Sequence, residues 1–394
     1  MAIPTLTMIP SGYKAEKVYS VLPINGDGDF TFDRNSTGTR VNKNGLIEQV
    51  ATDVPRLDYS DGSCPSLLLE PASTNLAGYS EDFSQWGTFS QGSGTTPIVT
   101  LNNSICPDGS NNATRLQCSL NGGSTSSDRS YIKYGGLSTT PFLTTKSLYI
   151  KNNQSTEVVL YIGINNNADT ITIPANSPFA RYEVSNTNIN NEFRIGIQGG
   201  YLNSDSIDID IWGAQLEEKA YATSYIPTTG SAVTRSQDSA SKTGLSSYIN
   251  DSEGVLYAEM SALANDDTYR ILSLNDGSAG RDNRVYIQYT NVDNTLSAVV
   301  KSVDNTTRAN ISVVLTDSTE FHKIAFKYKA NDFSLWVNGT ENVGTPQNGG
   351  GVPSGLNRLS FDDGTSNPFQ GKVKDLRVYN TTLSDAELIT LTTI

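Results

Sequence analysis

The chain has 394 residues and carries 28 Lys and Arg against 41 Asp and Glu, which gives a formal net charge of −13 at pH 7. That charge argues against a nucleic-acid partner, because phosphate binding requires clustered basic side chains. A chain of this length allows about two or three domains with their own cores. Gly (33) and Tyr (19) are abundant and long helical patterns are nearly absent, so the composition favours an all-β protein with many turns.

The first residues, "MAIPTLTMIPSGYK", contain neither a basic nor an apolar leader region, so we expect no secretory signal. No apolar run is long enough to span a bilayer, and we expect no membrane insertion. The three cysteines, Cys64, Cys106 and Cys118, are odd in number and fit no zinc spacing. Cys106 and Cys118 are close enough in sequence to pair, but nothing in the sequence requires it.

Residues 1–74 are predicted to form a short irregular segment for attachment and oligomerisation. Asn44-Gly45 lies between strand-like residues and predicts a hairpin. Three prolines between residues 55 and 71 argue against a central strand or a helix there. We therefore expect this segment to lie extended on a neighbouring surface, and residues 75–394 to fold without it.

Two apolar stretches of this segment, "VPRLDY" and "SLLLEP", are predicted to be uncovered within one chain. Apolar surface of that kind is normally covered by a partner, and a closed symmetric ring covers it without leaving an open end. We therefore expect a homo-oligomer, most simply a homotrimer. The docking residues would be Leu57, Tyr59, Leu67, Leu68 and Leu69.

Residues 75–235 contain short strand-like runs at regular intervals, such as "KSLYIKN", "EVVLYIGI" and "IDIDIWGAQLE". Turn-rich linkers separate these runs, as is typical of a β-sandwich or jelly roll. A Ser/Thr-rich stretch then marks a boundary near residue 236. Residues 236–394 repeat the all-β pattern, and Ser384 with Glu387 predicts a capped helix near the end.

The stretch "FHKIAFKYKANDFSLWVNGT" contains His322, the only histidine of the chain. His322 shares one face of an extended segment with Ile324, Phe326 and Tyr328, while lysines occupy the other face. Asn331 and the next residue supply a turn into a second strand. The pattern predicts a hairpin with one apolar face, in which His322 is a partly buried strand residue rather than a catalytic base.

Candidate glycan-binding residues lie on two strands. In "NRVYIQYT", alternation places Arg284, Tyr286 and Gln288 on one polar and aromatic face. The alternatives are an ordinary solvated strand or a subunit contact. Trp336 and Asn338 are the second group, since an indole face packs well on the apolar face of a sugar. Of the other two tryptophans, Trp212 and Trp86, we expect both to pack in a core.

Paired acidic residues raise calcium as an alternative, at Asp208 and Asp210 and again at Asp362 and Asp363. Ca²⁺ takes six to eight oxygen ligands from converging segments, and neither pair supplies them alone. We therefore expect no metal site and no cofactor. There is no nucleophile elbow and no second histidine for a triad, so we expect no catalytic residues and no enzyme activity.

The C-terminal stretch, about 150 residues, resembles the laminin G-like, or concanavalin A-like, family. The resemblance rests on His322 before alternating apolar residues, on the "WVNG" hairpin and on "FQGKVKDLRVYNTTLSDAE" at residues 369–387. It implies a concanavalin A-like sandwich for residues 236–394. The family includes lectins, enzymes and interaction modules, so the fold alone does not imply a function.

Residues 34–82 and 212–235 resemble segments that recur in bacteriophage tail-fibre and related virion proteins. The similar stretches include "RNSTGTRVNKNGLIEQVATDVPRLDY", "LLLEPASTNLAGYSEDFSQW" and "WGAQLEEKAYATSYIPTTGSAVTRSQD". In those proteins a carbohydrate-module-like sandwich lies between the two blocks. The resemblance implies a structural fibre or receptor-binding protein of a virion.

Together these patterns predict a virion protein that attaches to host-surface glycans and contacts other virion proteins. It would be made in the host cytoplasm and exposed on the released particle. One alternative is a purely structural component, such as a head fibre or a baseplate decoration. A second alternative is a glycan-cleaving tail spike, although the β-helix repeats common in such spikes are missing.

Overall fold

The computed structural model describes residues 2–135, 142–163, 170–188, 192–201, 203–344, 347, 350–364 and 367–394. Nearly all regular structure in these ranges is β-strand, which confirms the all-β prediction. The chain divides into two compact units. The C-terminal unit contains Met1–Thr37, Val50–Pro71 and Ser236–Ile394, and the central unit contains Gly38–Gln49 and Ala72–Arg235.

The central unit is a sandwich of two five-stranded antiparallel sheets. One sheet has the order β10-β13-β18-β15-β16, and the other has the order β11-β12-β19-β14-β17. The strands are β10 (Gly87–Gln91), β11 (Ile98–Ser104), β12 (Ala113–Ser119), β13 (Arg129–Tyr134), β14 (Phe142–Asn152), β15 (Val158–Gly163), β16 (Thr170–Ile173), β17 (Ala180–Asn188), β18 (Phe193–Gln198) and β19 (Ser206–Glu217).

Alternation explains the core of this sandwich. Ile207, Ile209 and Ile211 of β19 point into a core that also contains Leu148 of β14 and Ile195 of β18. Both sheets contribute to this core, as a sandwich requires. A 3₁₀ turn at Phe83–Gln85 precedes the first strand of the sandwich.

Two small pairs of strands accompany the sandwich. β5 (Gly38–Val41) pairs with β6 (Ile47–Val50), and the connecting turn contains Gly45 with φ near 78°, so the predicted Asn-Gly hairpin is confirmed. β9 (Ser73–Asn75) pairs with β20 (Val233–Arg235).

The second pair joins the sequence blocks 34–82 and 212–235 through residues 73–75 and 233–235. Asn75 Nδ2 donates to the backbone oxygens of Ala214 at 3.1 Å and Ile226 at 2.9 Å, and Asn75 Oδ1 accepts from Leu216 N at 3.0 Å. Asn75 is fully buried. The blocks are therefore parts of one hydrogen-bonded framework at the two ends of the sandwich sequence.

The C-terminal unit is a larger sandwich of two antiparallel sheets. The eight-stranded sheet has the order β29-β28-β27-β22-β31-β8-β7, with β1 also paired to β31. Its strands are β1 (Leu6–Met8), β7 (Arg56–Asp58), β8 (Ser66–Leu69), β22 (Glu253–Ala262), β27 (His322–Lys329), β28 (Asp332–Val337), β29 (Thr340–Gly344) and β31 (Gly371–Tyr379).

The nine-stranded sheet has the order β2-β3-β4-β21-β30-β23-β24-β25-β26. Its strands are β2 (Tyr13–Lys14), β3 (Lys17–Val18), β4 (Phe30–Asp33), β21 (Ser239–Lys242), β23 (Arg270–Asn275), β24 (Arg284–Tyr289), β25 (Thr295–Lys301), β26 (Thr307–Val314) and β30 (Arg358–Ser360). One continuous apolar core lies between the two sheets and includes Leu256, Ile287 and Phe326.

The C-terminal helix α1 (Asp385–Thr392) begins where the capping box predicts. Ser384 N donates to Glu387 Oε2 at 3.0 Å. Within the described ranges, no helix is long and apolar enough to cross a membrane. His322 opens β27 as a buried strand residue, and its Nδ1 lies 2.8 Å from the backbone oxygen of Glu320.

Residues 1–74 do not form a separate irregular segment. They supply β1 to β4, β7 and β8 to the two sheets of the C-terminal unit. Phe30 and Phe32 of β4 are buried in its core. The prolines mark the ends of short strands rather than a run without strands. The expectation of an irregular segment extended on a neighbouring surface is therefore wrong, and residues 75–394 by themselves would lack six strands of the two sheets.

The proposed docking leucines are also covered within their own chain. Leu57, Leu67 and Leu69 belong to the core between the sheets, and Leu68 is 4% exposed. Tyr59 is half-buried. β8 pairs with β7 on one side and with β31 on the other, which the local sequence does not reveal. The prediction that these leucines form uncovered apolar surface for a trimer contact is therefore wrong.

A buried ionic cluster joins four side chains of the C-terminal unit. Arg56 donates to both Glu70 and Asp238. Arg34 Nη1 donates to Asp238 Oδ1 at 3.3 Å. All four side chains are almost inaccessible to solvent. Burial opposes the charge of Arg56, but the carboxylates of Asp238 and Glu70 raise its pKa above the ordinary value.

We expect Asp238→Asn to lower the free energy of unfolding by about 3–5 kcal/mol, because the change leaves two buried guanidinium groups, Arg34 and Arg56, with only the carboxylate of Glu70 in the cluster. Denaturant unfolding measures the loss. Asp61→Asn is the matched control, since Asp61 pairs with Lys372 near the surface, where an ion pair contributes at most about 1 kcal/mol. Equal losses for both variants would contradict the role given to the cluster.

We expect Leu68→Asp to destabilise the chain rather than to change its assembly. The loss should be at least the ~2–5 kcal/mol of a buried Leu→Ala change, since a carboxylate replaces an apolar side chain. Leu101→Asp, at a residue 41% exposed, is the control. Thermal unfolding together with light scattering tests this. A stable, fully folded Leu68→Asp protein of lower oligomeric state would instead support a subunit contact.

Candidate functional site

A pocket of about 230 Å³ opens on the outer face of the nine-stranded sheet. Strands β23, β24 and β25 form its floor, and the loops around residues 281 and 363 form its walls. The lining residues are Tyr269, Ile271, Arg281, Arg284, Tyr286, Gln288, Lys301, Asp363 and Asn367.

The pleat of β24 decides which side chains reach the pocket. Val285, Ile287 and Tyr289 point into the core between the sheets. Residues on alternate positions point the other way, so Arg284 and Tyr286 lie on the outer face with Gln288.

The register of the neighbouring strands adds the rest of the floor. β23 places Ile271 opposite Gln288, and β25 places Lys301 opposite Arg284. Directly opposed residues of an antiparallel pair lie on the same face of the sheet. Three strands therefore present one row of polar, aromatic and apolar side chains to the pocket.

The walls are held by an ion pair and amide hydrogen bonds. Arg281 Nε lies 3.0 Å from Asp363 Oδ2. Asn367 Nδ2 donates to the same oxygen at 2.7 Å, and Asn367 N donates to Asp363 Oδ1 at 3.2 Å. Both oxygens of Asp363 are therefore engaged, and the ion pair joins Asp363 to the loop that carries Arg281.

Arg284 lies at the bottom of the pocket and is 1% exposed. Its Nε donates to the backbone oxygen of Asp282 at 2.9 Å, and its Nη2 donates to that of Gly280. Its Nη1 is buried and has no hydrogen-bond partner. Burial lowers the pKa of Arg284, although nearby carboxylates, led by Asp363, act in the opposite direction.

The remaining floor offers hydrogen bonds and aromatic surface. Tyr286 is half-buried, and burial raises its pKa to about 12. A neutral tyrosine hydroxyl can both donate and accept a hydrogen bond. Gln288 also lines the pocket, and its Nε2 donates to Ser297 Oγ at 2.9 Å. Tyr269 is 37% exposed at the rim. This combination suits a small polar ligand with one apolar face.

The structure brings three of the predicted glycan residues together and separates the other two. Arg284, Tyr286 and Gln288 line the pocket. Trp336 does not, because it is 3% exposed and packs on the outer face of the eight-stranded sheet beneath α1. Asn338 holds the following turn, and its Oδ1 accepts from Lys323 N at 2.9 Å.

The prediction that Trp336 is a binding surface for a sugar is therefore wrong. Its indole contacts apolar residues of α1, including Leu388 and Leu391, and its Nε1 donates to Ser334 Oγ at 3.0 Å. Trp86 and Trp212 are buried in the central unit, as expected. Sequence alternation predicts which residues share a face of a strand, but it does not predict which other element packs on that face.

The sequence missed six lining residues: Tyr269, Ile271, Arg281, Lys301, Asp363 and Asn367. In the sequence, Asp363 stands out only as half of an acidic pair with Asp362. The others lie on strands and loops up to 98 positions apart, from Tyr269 to Asn367, and no local motif connects them.

The acidic pairs considered for calcium are engaged by basic side chains. Asp208 accepts from Arg115 Nε at 2.7 Å, and Lys151 Nζ donates to Asp210 at 3.1 Å. In the part of the chain that the structure describes, no group of three or more His, Cys, Asp or Glu is arranged to hold a metal ion. Cys106 and Cys118 are both free and buried, and Cys64 is exposed.

A second cavity, of about 400 Å³, lies in the central unit. Its most distinctive group is Glu81, which accepts from Tyr225 Oη and from Asn112 Nδ2, both at 2.7 Å. Burial raises the pKa of Glu81. None of the predicted site residues lines this cavity, and its best-placed carboxylate already has two donors.

The C-terminal unit has a match among known families. Residues 256–389 match the family described as the concanavalin A-like lectin/glucanases superfamily. This match runs from within β22 to within α1 and includes all nine lining residues of the pocket. It confirms the concanavalin A-like sandwich expected at this end of the chain.

Comparison with curated protein sequences gives no match. Among solved structures, the chain is similar to the carbohydrate-binding module CBM40 of the Ruminococcus gnavus IT-sialidase bound to α2,3-sialyllactose, with 17% identity, 37% of this chain and 84% of that chain covered, and a TM-score of 0.31. It is also similar to domain 4 of AbnA, an arabinanase of Geobacillus stearothermophilus, with arabinotriose, at 11% identity, 45% and 84% coverage and a TM-score of 0.31. At these TM-scores the similarities carry no argument about a ligand.

We expect Trp336→Ala to lower the free energy of unfolding by about 3–5 kcal/mol, because it leaves a large cavity beneath α1. Trp336→Phe should recover much of the loss, since it refills most of that space. Denaturant unfolding of both variants makes the measurement. A Trp336→Ala protein as stable as the parent chain would show that the indole does not pack beneath α1.

Proposed function

We propose that the C-terminal sandwich binds a glycan in the pocket on the outer face of its nine-stranded sheet. The observation that carries this proposal is the row of Arg284, Tyr286 and Gln288 on β24, which forms a pocket floor inside the segment that matches the lectin/glucanases superfamily. Planar polar groups beside an aromatic ring suit the hydroxyls and the apolar face of a sugar.

We propose binding without hydrolysis. Glycoside hydrolysis generally uses two carboxyl groups that flank the scissile bond. The pocket lining contains one carboxylate, Asp363, and both of its oxygens are held by Arg281 and Asn367. A carboxylate fixed in this way is poorly placed to act as an acid or a nucleophile.

We further propose that the protein is a bacteriophage fibre or receptor-binding protein, exposed on the virion and attached to other virion proteins. The support is the resemblance of residues 34–82 and 212–235 to virion proteins. A homotrimer now rests on that resemblance alone, since the leucines of β8 are buried within one chain. Several copies on one particle would raise weak single-site affinity through effective concentration.

A glycan array with the parent chain and two variants tests the binding proposal. Tyr286→Ala removes the aromatic surface of the floor and should lower affinity about tenfold or more, as aromatic truncation at a central contact does. Tyr19→Ala, at a tyrosine 39% exposed and outside the pocket, is the control and should bind as the parent does.

Absence of any glycan signal for the parent chain would contradict the proposal and favour the purely structural virion component. Equal binding by Tyr286→Ala and the parent would move the site away from this pocket. Release of products from host polysaccharide would instead support a glycan-cleaving spike.

A further inference from the structure

The pocket carries more positive than negative charge, although the whole chain is strongly acidic. Its lining has three cationic side chains, Arg281, Arg284 and Lys301, and one carboxylate, Asp363, so the balance is +3 − 1 = +2. Asp363 pairs with Arg281 at 3.0 Å. Among the lining residues that the structure describes, no carboxylate forms an ion pair with Arg284 or Lys301.

The two remaining cations lie on neighbouring strands, on the same face of the sheet. Arg284 of β24 lies directly opposite Lys301 of β25. Like charges at directly opposed positions destabilise an antiparallel pair. The repulsion between these two cations therefore destabilises the strand pair. An anion bound between them would offset the repulsion.

The hydrogen bonds of these two side chains leave room for such an anion. Arg284 donates to two backbone oxygens, while its Nη1 remains buried without a partner. Lys301 Nζ donates to the neutral side-chain oxygen of Asn305 at 3.0 Å. An unpartnered buried donor costs about 1–3 kcal/mol, which a ligand oxygen would recover.

The electrostatic surroundings agree with this geometry. Burial lowers the pKa of Lys301, and the guanidinium groups of Arg284 and Arg281 lower it further, while Asp282 opposes them. Asp363, Asp282 and Asp276 act on Arg284 in the opposite direction, but burial outweighs them and the pKa of Arg284 stays below its ordinary value. Burial therefore disfavours the charge of both cations.

We propose that the pocket selects an anionic sugar residue, whose carboxylate or sulfate is held between Arg284 and Lys301. This inference rests on the proposed function of the same pocket. The sugar ring would lie against Tyr286 and the apolar edge formed by Ile271. A volume of about 230 Å³ is below the range of about 300–1,000 Å³ typical of larger ligand sites, which suits one sugar residue.

Matched pairs of saccharides test the selectivity. The probes are 3′-sialyllactose against lactose and tetragalacturonate against its methyl ester for the carboxylate, and 6-sulfated against unsulfated N-acetyllactosamine for the sulfate. Titration calorimetry with the full chain should show at least one anionic member binding about tenfold to hundredfold tighter than its neutral partner, as expected for hydrogen bonds to charged groups. That preference should shrink as salt rises.

Lys301→Gln is the main variant, because Lys301 is half-buried and its replacement keeps a polar side chain. It should lower the affinity for the anionic probe about tenfold and the affinity for the matched neutral probe much less, so that the ratio between the two affinities shrinks. Lys14→Gln removes the same charge from an exposed residue outside the pocket and should change neither. Arg284→Lys is a second variant, with folding checked by circular dichroism.

The outcomes separate this inference from the function on which it rests. Equal affinity for the members of every pair, with loss of binding in Tyr286→Ala, would overturn the anionic selectivity and leave glycan binding in place. Anionic preference that persists in both Lys301→Gln and folded Arg284→Lys would also overturn it. Failure of the parent chain to bind any array glycan would overturn the proposed function itself.

Discussion

The buried cluster of Arg34, Arg56, Glu70 and Asp238 is the interaction on which the C-terminal unit depends. Its members follow or open strands of both sheets: Arg56 opens β7 and Glu70 follows β8, while Arg34 follows β4 and Asp238 precedes β21. A buried charge is tolerated only with its partners in place. The cluster therefore requires segments distant in sequence to occupy one fixed arrangement.

That arrangement has consequences for the pocket. β4 and β21 pair with each other, and β21 pairs with β30, which pairs with β23 beside the pocket floor. The N-terminal strands thus extend the same sheet that carries Arg284 and Tyr286. The pocket belongs to a continuous nine-stranded sheet rather than to a domain made of residues 236–394 alone.

The central unit uses buried polar groups in a similar way. Glu217 accepts hydrogen bonds from Ser73 Oγ and from Thr223 N, and Asn75 bonds to the backbone of two other segments. Buried polar groups of this kind specify which segments meet, because an unmatched group would be left unsatisfied. This accounts for the pairing of Ser73–Asn75 with Val233–Arg235, although the strands of the sandwich separate them in the sequence.

The sequence by itself determined the local features of this protein. Alternation in "RVYIQYT" put Arg284, Tyr286 and Gln288 on one face, and the Asn-Gly turn and the Ser384 capping box placed a hairpin and a helix correctly. These features depend on residues within a few positions of each other, so their physical causes are visible in the sequence.

Only the tertiary structure decided which strands are neighbours. The pairing of β24 with β25 brings Lys301 to Arg284, and the pairing of β8 with β31 buries leucines that look unprotected in sequence. The cover of Trp336 by α1 is likewise invisible in the alternation of β28. Packing and hydrogen bonding between segments far apart in the chain determine which strands pair. A local sequence pattern therefore does not predict the pairing.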